Sequence, residues 1–176
     1  IPREAFATVA VPASKAVELK NLSSVYLEIL KNELSAKEKN LTVVLESVTT
    51  DKAALTAQSR DTFVQLLNAT PNGVIRNSDV AKGVVETSLN VGVVTMEDGF
   101  VKYEVTVRSA EDSLVRSISD VVYDIAVTAG AECEITGSYP AFSFDPDSRL
   151  RKTVMEVYKE YSGKDGVIRA VHGGTE

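Results

Sequence analysis

The sequence has no tryptophan, one cysteine, one histidine and no apolar run that approaches the length of a membrane span. Cys133 alone cannot form an internal disulfide, and no CxxC pair or Cys/His cluster is present to hold zinc by thiolates. A lone thiol fits a reducing compartment. GxSxG, P-loop, GxGxxG and HExxH patterns are all absent. The opening stretch IPREAFATVA lacks the basic and continuous apolar regions of a signal peptide. It also lacks a methionine, so the chain reads as a processed or excised piece. Positive charge is in short supply, with 19 Lys and Arg against 25 Asp and Glu, a net charge of -6 and a pI near 5.0. That balance argues against a nucleic-acid surface, which needs clustered cations on one face.

What is present suits an ordinary globular chain. Of 176 residues, 44% are hydrophobic and 25% charged, enough for one domain with an extension that buries roughly 70% of its unfolded surface. AFATVAV (5–11) reads as a strand closed by Pro12. Ser14 then serves as the expected N-cap of a helix with Leu19, Leu22, Tyr26, Ile29 or Leu30, and Leu34 on one face. LTVVLESV (41–48) is strand-like, and residues 51–68 return to helical spacing until the turn residues of ATPNG end it.

Two extended runs follow at 84–96 and 100–110, joined by Glu97-Asp98-Gly99, a strong hairpin signal. In the second run Val101, Tyr103, Val105 and Val107 alternate with Lys102, Glu104, Thr106 and Arg108, which predicts one packed and one solvated side. Ser109 and Asp112 stand at capping-box spacing before a helix with Leu114, Ile118, Val121 and Ile125 on one stripe and Gly130 at its end. AECEITGSY (131–139) reads as another strand. The order predicts an α+β fold, a ferredoxin-like antiparallel sheet with helices packed on one face. Residues 141–148 carry no periodicity and read as a hinge. After it come a helix, with Leu150, Val154, Val157 or Tyr158 and Tyr161 inward and Gly163 as its stop, and a buried strand, GVIRAV. This tail looks like a corner of another domain.

The chemistry-bearing candidates are few. His172 and Glu176 sit together in VHGGTE at the end of that last strand, where α/β sheets commonly place ligands, but their spacing suits a metal pair on a helix rather than at a strand end. Arg108, at a strand end on the solvated side, can clamp a carboxylate in bidentate fashion or be a plain surface arginine. Asn90, in SLNVG, can orient a ligand through its amide or mark a bulge or edge. Glu132 and Glu134 flank Cys133 as a solvated face.

The stretches IPREAFATVAV, EILKNELSAKEKNL, DKAALTAQSRDTF and above all LLNATPNGVIRNSDVAKGVVETSLNVGVVTM resemble the central part of bacterial aminoacyl-histidine dipeptidases, the carnosinase-like di-zinc metallopeptidases. The likeness continues more loosely through VRS, GSYP and EVYKE. It implies a cytoplasmic dipeptide hydrolase made of a catalytic domain with two zinc ions and an inserted lid that forms a homodimer. On that resemblance residues 1–140 are the lid and dimerisation domain, 141–148 the hinge and 149–176 the start of the returning catalytic segment. Arg108 in VRS matches the arginine expected to bind the substrate carboxylate, and Asn90 in SLNVG matches an asparagine near the substrate. Glu176 matches the glutamate of the family's HAGLE segment, from which Gly173 and Thr175 depart. The family's metal ligands and general base have no counterpart in these 176 residues, so no catalytic residue and no bound metal are expected here, nor a nucleic-acid or membrane partner. The alternative is a non-catalytic α+β interaction module whose sheet pairs with a protein.

Overall fold

Alternating apolar and polar residues form a strand only where a neighbour offers backbone partners and one face is covered. The computed structural model describes residues 3–79, 83–97, 99–141 and 143–168. The chain divides into two compact units, Glu4–Thr56 and a second formed by Ile1–Arg3 with Ala57–Glu176. In the first unit a single 3-10 turn at Ala13–Lys15 leads into helix α1, Ala16–Leu34. Ser14 lies inside that turn, and Lys15, without a side-chain cap, takes the position expected of it. The half-buried line of α1 is Leu19, Ser23, Leu27 and Leu30, whereas Leu22, Tyr26 and Ile29 are exposed. The strands expected at 5–11 and 41–48 do not form: both segments lie outside any ladder, with Phe6 91% and Val44 74% exposed. Their β-branched pattern is real, but among the described residues no strand stands beside them to pair with.

The second unit holds helix α2 (Ala57–Ala69), strands β1 (Gly73–Asn77), β2 (Val85–Glu97) and β3 (Phe100–Ser109), and helices α3 (Asp112–Thr128) and α4 (Arg149–Ser162). The sheet is antiparallel in the order β1-β2-β3. β2 and β3 form the expected hairpin, in which Glu97 pairs with Phe100 across a two-residue turn. Asp98 is outside the described residues; Gly99 has φ +81°, the left-handed backbone such a turn requires. β3 alternates as expected, with Val101, Tyr103, Val105 and Val107 half-buried and the four polar residues between them exposed. β1 is short and carries Arg76 and Asn77, so its composition gave no strand signal.

The core sits where α3 and α2 meet the proximal half of the hairpin. Leu89 of β2, Leu66 of α2, and Val122 and Ala126 of α3 are its buried apolar side chains. Val122 takes the place expected of Val121, which is 41% exposed. Thr87, fully buried, shares a hydroxyl hydrogen bond of 2.8 Å with Ser109. The hydroxyl of buried Thr70 donates to the Leu66 carbonyl at 2.8 Å and lies 3.1 Å from the Tyr103 hydroxyl, tying α2 to β3. Helices therefore cover one face of an antiparallel sheet, the expected α+β arrangement.

Ser109 does not cap α3; Glu111 holds the N-cap position, and the Ser109 hydroxyl instead accepts from the Glu111 N–H at 3.1 Å. The other end of α3 behaves as expected. Gly130 (φ +76°) lets Ala131 N–H reach the Ala126 carbonyl at 2.9 Å, closing a Schellman turn. Residues 131–139 are not a strand, since no ladder reaches them. Gly163 stops α4 as expected, yet Leu150, Val154, Val157 and Tyr161 are 55–95% exposed rather than inward. GVIRAV does not form the expected strand over 166–168, which lie outside any ladder with Val167 77% exposed, and 169–171 lie outside the described residues. No described helix is long and apolar enough to cross a membrane.

The segment between α3 and α4 is bonded at both ends. Ala141 N–H donates to Asp112 Oδ1 at 2.7 Å and the Ser143 hydroxyl to the Ala110 carbonyl at 3.1 Å. At its far end the Arg151 guanidinium donates to the carbonyls of Asp145 and Pro146 and stacks 4.6 Å from the Phe144 ring centroid. Ser148 Oγ accepts from Arg151 N–H as the N-cap of α4.

β2 is not in one register along its length. Positions up to Val91 pair as Val91 with Val105, while positions from Val93 pair as Val93 with Glu104, so Gly92 is one residue extra, a β-bulge. β1 pairs only with the proximal part of β2, from Val85 to Leu89, so beyond the bulge the hairpin is a two-stranded arm. Its packed-side residues Val94 and Met96 are about half exposed, at 49% and 54%. Two strands alone are marginal in water. We predict that Leu89→Ala lowers unfolding free energy by about 2–4 kcal/mol and Val94→Ala by less than about 1 kcal/mol. Urea denaturation measures both; an equal loss at the two positions would contradict this placement of the core.

Candidate functional site

The register decides which side chains share the uncovered face of the sheet. Ser88 stands opposite Arg108 and Asn90 opposite Thr106. Asn90 is thus the diagonal neighbour of Arg108, a position that long side chains can bridge at about 7–8 Å between Cα atoms. The structure brings together two of the three residues singled out from the sequence. Glu176, with His172, Gly173 and Thr175, lies outside the described residues.

Arg108 is exposed and makes no ion pair among the described residues, while Asn90 is half-buried and its amide makes no hydrogen bond among them. Nearby carboxylates on this face are already engaged. Glu104 pairs with Lys102 at 3.1 Å, and Glu86, the other diagonal neighbour of Arg108, has its Oε1 3.2 Å from Arg76 Nε. Arg76 also donates to Asp79 at 2.7 Å. The hydrogen bond to Asp79, then the charge of Glu86, raise the Arg76 pKa above its ordinary value, so this guanidinium stays charged. The Glu86 side chain is only 10% exposed, and its Oε1 makes no hydrogen bond despite the ion pair. Arg76 is thus engaged by acids, whereas Arg108 makes no ion pair among the described residues. A planar guanidinium with an amide at a diagonal position on the same face can hold a carboxylate in bidentate fashion.

The Arg76, Asp79 and Glu86 cluster was missed in the sequence, although the i,i+3 spacing of Arg76 and Asp79 was a usable signal. So was Gly92: an isolated glycine within a strand marks a bulge. Glu132 and Glu134 are exposed and Cys133 is half-buried, as expected. An open groove along α3, lined by Asp112, Arg116, Asp120 and Asp124 among others, contains none of the expected site residues. Among the described residues no three His, Cys, Asp or Glu side chains converge as a metal site. The described residues therefore offer no ligand set for the metal ions the resemblance implies.

With this geometry in place, comparison with known proteins is informative. No protein-family model matches the chain. Over all 176 residues it is 54% identical to the cytosol non-specific dipeptidase of Escherichia coli strain K12, of which it spans 36%. Its fold superposes on the crystal structure of aminoacylhistidine dipeptidase from Vibrio alginolyticus with a TM-score of 0.85 and 36% identity, over 94% of this chain and 34% of that one. The resemblance to dipeptidases read from the sequence is borne out, and the chain spans about a third of the length of the relatives it matches.

Removing Arg76 would strand the Glu86 carboxylate in a nearly buried position without its counter-charge. Arg76→Met is therefore expected to lower the thermal midpoint, and Glu86→Gln in the same background to restore part of it. A calorimetric comparison of the single and double variants checks this; additive losses would show that the two side chains do not act as a pair.

Proposed function

We propose that this chain is part of a cytoplasmic, metal-dependent dipeptidase that hydrolyses Xaa-His and other dipeptides, and that its share of the work is to hold the substrate's C-terminal carboxylate. In this reading residues 1–140 form a lid that also makes a homodimer, 141–148 a hinge and 149–176 the beginning of a catalytic segment. The observation that carries it is the diagonal placement of Asn90 and of Arg108, without an ion pair among the described residues, on one open sheet face, in a chain 54% identical along its whole length to part of a dipeptidase.

Arg108 donates two parallel N–H bonds to the carboxylate, and the Asn90 amide fixes its rotation about the C–C bond. Holding the end of a dipeptide fixes the distance to its one peptide bond, so a carboxylate clamp also measures substrate length. Glu176, outside the described residues, is the third residue assigned to substrate binding in this reading. The whole enzyme uses two zinc ions, held by residues other than those described here.

Lysine keeps the charge of arginine but not its planar fork, and loss of a desolvated charge pair costs roughly 2–5 kcal/mol. In the full-length dipeptidase Arg108→Lys is expected to lower kcat/KM about 30-fold or more, a loss of about 2 kcal/mol. The thermal midpoint should stay near wild type, because an exposed arginine without an ion pair contributes little to folding. The decisive comparison is between a dipeptide with a free carboxylate and the same dipeptide amidated at its C-terminus. Equal harm to both would remove Arg108 from carboxylate recognition.

A further inference from the structure

We infer that Gly92 is a positioning residue for Asn90: as the extra residue of the β2 bulge it puts Asn90 on the open face beside Arg108, and by lacking a side chain it leaves the bed on which the Asn90 amide lies. The inference rests on the carboxylate-holding role proposed above for those two residues.

The first half follows from the ladder. Beyond the bulge the pairing runs Val93 with Glu104 and Val94 with Tyr103. Continued without interruption toward the sheet, that register would set Asn90 opposite Val107, on the packed side, and Leu89 opposite Arg108, on the open side. One additional residue reverses this, because strand side chains alternate with a period of two. Leu89 is thereby 2% exposed and Asn90 faces out with Thr106. The bulge is also fastened from the other side, where Asn72 Oδ1, just before β1, accepts from Val91 N–H at 3.0 Å.

The second half follows from space. Six glycines of the described chain have the left-handed backbone that only glycine adopts readily, and Gly92 is not among them. Another residue could take its conformation. What glycine supplies is room, for a Cβ placed there would stand 3.0 Å from Asn90 Nδ2. That is tighter than ordinary carbon–nitrogen contact, and the neighbour that must give way is the far end of the Asn90 side chain. A methyl group at 92 therefore displaces the amide while leaving the strand intact. A shift of a few tenths of an ångström in a hydrogen-bonding group is enough to lower turnover.

The test is a double-mutant cycle in the full-length dipeptidase, with Gly92→Ala, Asn90→Ala and the pair, read as kcat/KM on one dipeptide together with the thermal midpoint. Gly92→Ala is expected to lower kcat/KM roughly 5- to 20-fold, with a thermal midpoint unchanged or higher, since alanine in a permitted conformation restricts the unfolded chain. In the Asn90→Ala background the same substitution should have no further effect. A loss that persists in full in that background, or no loss from either single variant, overturns the inference. The free-versus-amidated comparison is a separate reading: coupling between Gly92 and Asn90 combined with equal harm to both substrates by Arg108→Lys would uphold the positioning role and reject the carboxylate.

Discussion

The pairing of β2 with β3 is the constraint on which the second unit rests. Its register selects Thr87 and Leu89 for burial, brings Ser109 within hydrogen-bonding distance of Thr87, and turns Tyr103 toward Thr70 at the end of α2. α3 begins three residues after β3 ends and lays Val122 and Ala126 over the same patch. The apolar core this creates is small, and the hydrogen-bonded ladder carries a correspondingly large part of the order. The same register places Ser88, Asn90, Thr106 and Arg108 on the face opposite the one that α2 and α3 cover, so core and site are two readouts of one alignment.

The parts of the fold legible in the sequence are those whose signals are local. The Asp-Gly turn, the alternation of 101–108, the helices α1, α3 and α4 and the Schellman glycine at 130 all depend on residues within a few positions of one another. The strands expected at 5–11, 41–48 and 131–139 failed for the opposite reason. A β-branched run records that a residue suits a pleated, half-covered surface, and says nothing of whether a partner is at hand. The exposed apolar stripe of α4 makes the same point for a helix: periodicity defines a face, and only a neighbour buries it. β1 shows the converse, a five-residue strand too short to signal itself that forms because β2 offers a free edge.

At the site, residue type and spacing left both Arg108 and Asn90 open to bland readings. The solvated side of β3 could be read from alternation, but the side of Asn90 could not, because it depends on a bulge two residues further on. Electrostatic selection was also hidden. Arg76 and Arg108 look alike in the sequence, and only the folded arrangement shows that one is surrounded by Asp79 and Glu86 while the other makes no ion pair among the described residues. The free cation is defined by the occupation of its neighbour.

The connector between α3 and α4 has a mechanical meaning. A chain of free residues is an entropic spring that takes up displacement in its middle. Here the entropy of residues 141 and 143–148 is already reduced by bonds to Ala110 and Asp112 on one side and to Arg151 on the other. The described part of the connector is therefore held at both ends. One anchorage is Ala110, two residues beyond Arg108, so the connector is tied to the chain directly after β3.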